Sequence, residues 1–221
     1  MAITDSITWP GSVANARLIQ QELAAKVKLT PMQNPVRYIA GIDVAFPNKG
    51  KTTRAAIVVL SFPSLEVVEL TVYEAPTVIP YIPGVLSFRE GGAILSALAQ
   101  LKISPDVLMF DGQGIAHPLG LGVASHIGVI LNVPTLGIAK SCLVGKFDEP
   151  ELTKGSISDL VINDKKSGYV VRSRDKVKPL FVSPGHLITK EQALQLALQC
   201  VTKYRLPEPT RLADKLSKNQ M

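Results

Sequence analysis

An acidic residue that leaves a short apolar run straight into a glycine-rich loop narrows the folds open to this chain more than any other stretch. Val107, Leu108, Met109 and Phe110 precede Asp111, and the chain then reads GQGIAHPLGLGVASHIG. The loop carries Gly112, Gly114, Gly120 and Gly122, with His117 and His126 among almost no bulky polar side chains. An apolar run of that length reads as a buried strand. A carboxylate leaving such a strand into glycines is how an open α/β sheet offers a ligand-binding group at its carboxyl edge.

The remaining periodicity predicts a sheet of that kind. Ser12 is a candidate N-cap for a helix in which Ala16, Ile19, Leu23 and Val27 recur at three- and four-residue intervals. Residues 30–35 break it, and three β-like runs follow at 38–46, 54–62 and 67–73, with links short enough for antiparallel hairpins. After a proline-rich stretch at 75–87, residues 88–101 read as a helix through Ile94, Leu95, Leu98 and Leu101. Strand and helix then alternate: strand 107–110, helix 124–131, strand 135–139, a hairpin from 168–174 and 179–182, a long helix 190–204 and a closing helix 210–216. The polar, lysine-bearing stretch 148–166 reads as a surface insertion. Three antiparallel strands followed by β/α alternation predict an α/β fold, a mixed sheet with helices on both faces. With no repeat and no defensible boundary, a single domain over residues 1–221 is expected.

Composition bounds the partners. Hydrophobic residues make up 46% and charged residues 19%, which is a globular balance; 24 Lys plus Arg against 18 Asp plus Glu leave +6. That charge favours an anionic partner without reaching the density of a nucleic-acid coat. Cys142 and Cys200 form no CxxC pair and sit near no zinc-spaced histidine cluster, so reduced thiols and a cytoplasmic location are expected. The N-terminal MAITDSITWPGS has neither a basic start nor a long apolar stretch, which argues against a signal peptide. No window approaches the ~18 apolar residues of a membrane span, so no membrane partner is expected. A monomer is the working expectation.

Asp43 lies between Ile42 and Val44 in a run almost free of charge. It either faces solvent at a strand edge or has its charge compensated, and pairing with Asp111 on a neighbouring strand would converge two carboxylates on one hard cation. Oxygen-only ligands point to Mg²⁺ or Mn²⁺ rather than zinc. Glu90 opens the helix after SFR, where the backbone dipole alone would favour an acid. Asp214 sits in TRLADKLS, a pattern that also suits a solvated helix. Lys140, ending TLGIAK at the Asp111 edge, is either a surface terminus or a cation for a phosphate oxygen. His117 and His126, nine residues apart with no third nitrogen, read as hydrogen-bonding groups rather than a zinc site. In IPYIPGVLS, two prolines stiffen the backbone around Tyr81 and Ile82, giving a proline turn over the core or a rigid wedge for a base stack.

Taken together, GIDVAF, PYIPGVLSFRE, DGQGIAHP with ASHIGV, GIAKS, VRSRDKVKPLFVSPGH and YRLPEPTRLAD resemble endonuclease V, in that order and over about residues 38–217. The resemblance implies an RNase H-like fold and a Mg²⁺-dependent endonuclease, with Mn²⁺ able to substitute. Its implied substrate is DNA containing a deaminated purine, deoxyinosine above all, nicked at the second phosphodiester bond on the 3′ side; inosine-containing RNA stays open. Carried over residue by residue, Asp43 and Asp111 match metal-binding aspartates, Glu90 the active-site glutamate, Lys140 the lysine ending GIAK, and Asp214 the acidic or histidine position of the last helix. Pro80, Tyr81, Ile82 and Pro83 match the strand-separating wedge, while Gly84, Leu86, Gly112 and Val123, with His117 beside them, fall where the family encloses the flipped base. Leu119, Gly120 and Cys142 stand where the family often carries basic residues; Lys146, Arg172, Arg174, Lys176 and Lys178 are candidate replacements for that charge. A structure-directed nuclease of the same fold and a non-catalytic nucleic-acid binder are the competing readings.

Overall fold

The computed structural model describes residues 7–221; the start of the N-terminal segment read for a targeting signal, residues 1–6, lies outside the described residues. Helix α1 (Val13–Ala24) begins under the expected cap, the Ser12 side chain accepting from the Asn15 N–H at 3.1 Å. Strands β1 (Tyr38–Ala45), β2 (Thr52–Ser61) and β3 (Val67–Pro76) follow, then α2 (Leu86–Leu98), β4 (Val107–Asp111), α3 (Val123–Leu131) and β5 (Thr135–Ala139). Strands β6 (Ile157–Ile162), β7 (Lys165–Val171) and β8 (Leu180–His186) and helices α4 (Lys190–Gln199) and α5 (Glu208–Ser217) complete the chain. The strands form one mixed sheet in the order β3-β2-β1-β4-β5-β8-β7-β6. β1 is antiparallel to β2 and parallel to β4, and β4 is parallel to β5.

Alternate residues of a strand point to opposite faces, so the central strands feed two cores. Ile39, Val58, Met109 and Leu136 meet Ala197 and Ala213 of α4 and α5 on one face. Ala40, Ile57, Leu108 and Phe110 meet Ile94 and Ile127 of α2 and α3 on the other. Among the described residues no helix is long and apolar enough to cross a membrane.

Among the departures from the sequence-based expectation, three stand out. Residues 148–166 are not simply an insertion: they contain β6, the outermost strand, which buries Leu160 against Val170 and Phe181 while its other residues stay wholly or partly solvated. One inward side chain is too little alternation to announce a strand. Helix α2 begins at Leu86, so Glu90 lies in its second turn rather than its first. Helix α4 stops at Gln199, short of residue 204, and the Glu208 N–H returns to the Cys200 carbonyl at 2.8 Å.

Two glycines allow close approaches that fix where α5 and the loop after β4 sit on the sheet. Gly41 lies on the same face of β1 as Asp43, and a Cβ there would overlap the backbone of Pro209 in α5. Gly137 of β5 lies against the backbone of residues 112–114, seating the loop after β4 on the sheet. Gly41→Ala is expected to lower unfolding stability by roughly 1–3 kcal/mol through overpacking. Gly92→Ala, in α2 where a Cβ meets nothing within 4 Å, is expected to raise it by about 0.5–1 kcal/mol. Urea unfolding of both variants checks this pair, and an undiminished midpoint for Gly41→Ala would show that α5 does not rest on β1 in this way.

Candidate active site

The register carries the carboxylates together. Ile42 of β1 pairs with Phe110 of β4 in parallel, so the next residues, Asp43 two positions before the end of β1 and Asp111 closing β4, lie side by side on adjacent strands. Both point to the face on which α5 lies, and α5 adds Asp214. Carboxylate oxygens of Asp43, Asp111 and Asp214 all lie within 4.8 Å of one another. Asp214 is thus no solvated helix residue, and its side chain is 19% exposed.

Three carboxylates at that spacing repel one another strongly, and two ammonium groups offset them. Lys140 Nζ lies 2.5 Å from Asp111 Oδ2 and 2.7 Å from Asp214 Oδ1. Lys218 Nζ contacts both Asp214 oxygens at 2.8 Å. Burial pulls the Lys140 pKa down, but the two aspartates outweigh it and hold it above its usual value. Burial pushes Asp214 up, and Lys140 and Lys218 outweigh it and hold the carboxyl low. Among the described residues Asp43 has no cation in contact; burial and then the Asp111 charge push it up to about 6, against the hydroxyl of Ser217, which donates to Asp43 Oδ2 at 2.6 Å. Asp111 is also raised by burial despite Lys140. The cluster therefore keeps a surplus of negative charge and offers only oxygen, the donor set of a hard divalent cation.

Glu90 approaches from α2, buried at 9% exposure, and burial followed by the Asp43 charge pushes its pKa up to about 8. The helix-dipole account falls away with its second-turn position; burial, more than the dipole, governs this carboxyl beside the aspartate cluster.

A cleft of about 340 Å³ runs from Asp111, Glu90 and Lys140 to the proline-rich loop. Tyr81, Pro83, Gly84, Leu86, Gly112, His117 and Val123 of the sequence-derived set line it, whereas Pro80 and Ile82 do not. Tyr81 is 66% exposed at the tip, while Ile82 packs back with Ile79, Val85 and Phe88 against Trp9, Ala16 and Ile19. Tyr81 is thus exposed at a tip whose neighbouring residues pack on the core. A Cβ on Gly112 would lie 2.8 Å from Val123 Cγ1, so backbone itself forms that wall. His117 Nδ1 accepts from the Leu119 N–H at 3.2 Å, and burial lowers its pKa. His126 stays outside the cleft lining, fully buried with Nδ1 2.8 Å from Ser87 Oγ. Both histidines are hydrogen-bonding groups, as the spacing suggested.

Arg172 does not make up the missing surface charge. It is 2% exposed and bonds to Glu149 and to the carbonyls of Pro150, Glu151 and Val177, tying the β7 end to the 149–151 segment. Arg174 is exposed but donates to the Lys203 carbonyl, whereas Lys146, Lys176 and Lys178 remain exposed. Sequence reasoning also missed Ser217 and Lys218. Their spacing of three and four from Asp214 on one helix was the available signal.

Residues 21–215 match the family model for endonuclease V. An endonuclease V from Nostoc sp. is 50% identical over 222 residues, covering 100% of both chains. Among solved structures, endonuclease V from Streptomyces avermitilis superposes with a TM-score of 0.90 at 37% identity, covering 96% of this chain and 93% of that one. Endonuclease V from Ciona intestinalis, in complex with a 24mer DNA containing an inosine followed by a ribo-adenosine, gives a TM-score of 0.84 at 30% identity over 94% of this chain and 97% of its own. The fold shared with these proteins is the RNase H-like one expected. By sequence along its whole length and by strand order, this chain belongs to the endonuclease V family of nucleases.

Proposed function

We propose that this chain is a divalent-metal-dependent endonuclease that takes a deaminated purine, above all deoxyinosine, out of a DNA duplex and nicks the second phosphodiester bond on its 3′ side. The products are a 3′-hydroxyl and a 5′-phosphate. The observation that carries the reading is the union of an all-oxygen carboxylate cluster with a cleft whose far wall is glycine backbone and whose rim is an exposed tyrosine. The inosine-containing DNA bound by the Ciona intestinalis relative supports the choice of base. One sheet taking in every strand supports a single nuclease domain over residues 1–221, and two unpaired thiols fit a cytoplasmic site of action.

Asp43 and Asp111, with Asp214, would hold Mg²⁺ or Mn²⁺, which when bound lowers the pKa of a water and offsets charge at the scissile phosphate. Lys140, half exposed between the carboxylates, supplies a cation to a phosphate oxygen. Glu90, its carboxyl pKa raised by burial, stands within reach of the same cleft and can hydrogen-bond a phosphoryl or water oxygen. Hypoxanthine offers an acceptor at O6 and a donor at N1, the reverse of adenine on that edge, and fixed backbone groups at Gly84 and Gly112 can read the difference. Leu86 and Val123 supply apolar walls, His117 a neutral ring, and Tyr81, stiffened by Pro80 and Pro83 and backed by Ile82, fills the space the base leaves.

Three outcomes are expected. Asp43→Ala and Asp111→Ala should each lower nicking of an inosine duplex by on the order of 10³-fold while keeping lesion binding, and full activity in either would remove the metal site as drawn. Mg²⁺ at about 100 times its dissociation constant should stabilise the wild type by about 2.7 kcal/mol in thermal unfolding and Asp111→Ala far less; identical shifts would place the ion elsewhere. Tyr81→Ala should lose about 1–3 kcal/mol of duplex affinity and less on single strands, whereas equal losses would mark simple base contact. Cleavage of matched DNA and RNA strands with one inosine, beside undamaged and branched DNA, tests the substrate assignment directly.

A further inference from the structure

The tip bearing Tyr81 returns to α2 through the turn Ile82–Val85, closed by the Val85 N–H on the Ile82 carbonyl at 3.3 Å. Pro83 and Gly84 occupy its central positions, and Gly84 has φ +82°, the residues and the conformation of a type II turn. What fixes the turn in space comes from outside it. Gln20, on α1, donates from Nε2 to the Gly84 carbonyl at 2.8 Å and is itself 1% exposed. The His117 ring, from the loop after β4, lines the cleft beside Gly84. Gly84 thus joins α1 to the tyrosine tip, beside the loop that begins at Asp111.

Gln20 is an odd residue for that position. It shares the buried face of α1 with Ala16 and Leu23, where a polar amide is costly unless both its ends are bonded. Only one end is: Gln20 Oε1 has no hydrogen-bond partner among the described residues. Packing alone would be better served by Leu or Met. The one contact that distinguishes glutamine from them is the bond to Gly84, and Gln20 borders the cleft there. It lies just before the stretch matched by the family model.

We propose that Gln20 is a positioning residue for base recognition: by holding the Gly84 carbonyl from α1 it sets the angle of the Tyr81 tip and the orientation of the cleft wall. The inference rests on the function proposed for the cleft. Among the described residues Gln20 makes no hydrogen bond to the carboxylate cluster, so its loss should act on binding of the lesion and leave the chemical step alone.

The test uses the full chain with Gln20→Met and, in parallel, Gln20→Leu. Both keep an apolar side chain of similar length or bulk and remove the unpartnered oxygen together with the donor. Melting temperatures should match the wild type or rise. KM for an inosine duplex should increase about tenfold, the effect of one lost buried hydrogen bond, with kcat changed less than about twofold. The increase should be smaller on an inosine single strand, where no helix has to be parted. An unchanged KM in both variants overturns the proposal, as does a fall in melting temperature with kcat and KM altered together in both, which would make Gln20 a packing residue only. A wild type that cleaves undamaged and inosine duplexes alike overturns the functional reading as well, so the two failures are told apart by the wild-type control.

Discussion

The closeness of α5 to β1 is the contact on which the rest of the site depends. Parallel strands with a shared register bring Asp43 and Asp111 to one edge without help, but a third carboxylate needs a helix laid directly on the sheet. Gly41 makes room for the Pro209 backbone, and one turn on, Ala213 packs in the core while Asp214 reaches the two aspartates. The same helix brings Ser217 to Asp43 and Lys218 to Asp214. Hydrophobic burial therefore works against electrostatics here: apolar packing along α5 and β1 holds together groups whose charges would drive them apart.

The second half of the site is built from backbone. After Asp111 the chain stays close to β5 because Gly137 has no side chain to hold it off, and Gly112 presents main chain to the cleft beside Val123. A carboxylate of the cluster and a wall of the cleft thus sit on consecutive residues, Asp111 and Gly112. That adjacency places the cleft wall directly beside the carboxylates. The glycine-rich exit from β4 is the shared wall of both halves.

Much of this was legible in the sequence, and the physical reasons are specific. Strands β1, β4 and β5 announce themselves because buried strands leave continuous apolar runs, and the acids at the ends of two of them stand out against that background. The ordered blocks around Asp43, Pro80 to Glu90, Asp111, Lys140 and Asp214 sufficed to identify the family. Strand β6 was hidden because an outer strand with one inward residue looks like a polar loop. Arg172 was misjudged because sequence shows charge and not burial. Gln20 left no mark, since a glutamine in an amphipathic helix is ordinary until its partner, 64 residues away, is known.

Lys140 and Lys218 give the carboxylate cluster counter-ions of its own. With that partial compensation the fold does not depend on a metal ion to form, so folding and any binding of a divalent cation are separable events. A divalent ion held by these oxygens would compete with Lys140 and Lys218 for them, and the displaced ammonium groups would be available to an anion such as a phosphate. By linkage, the affinity for metal and the affinity for a phosphate backbone would rise together, and each would weaken as monovalent salt competes for the same charges.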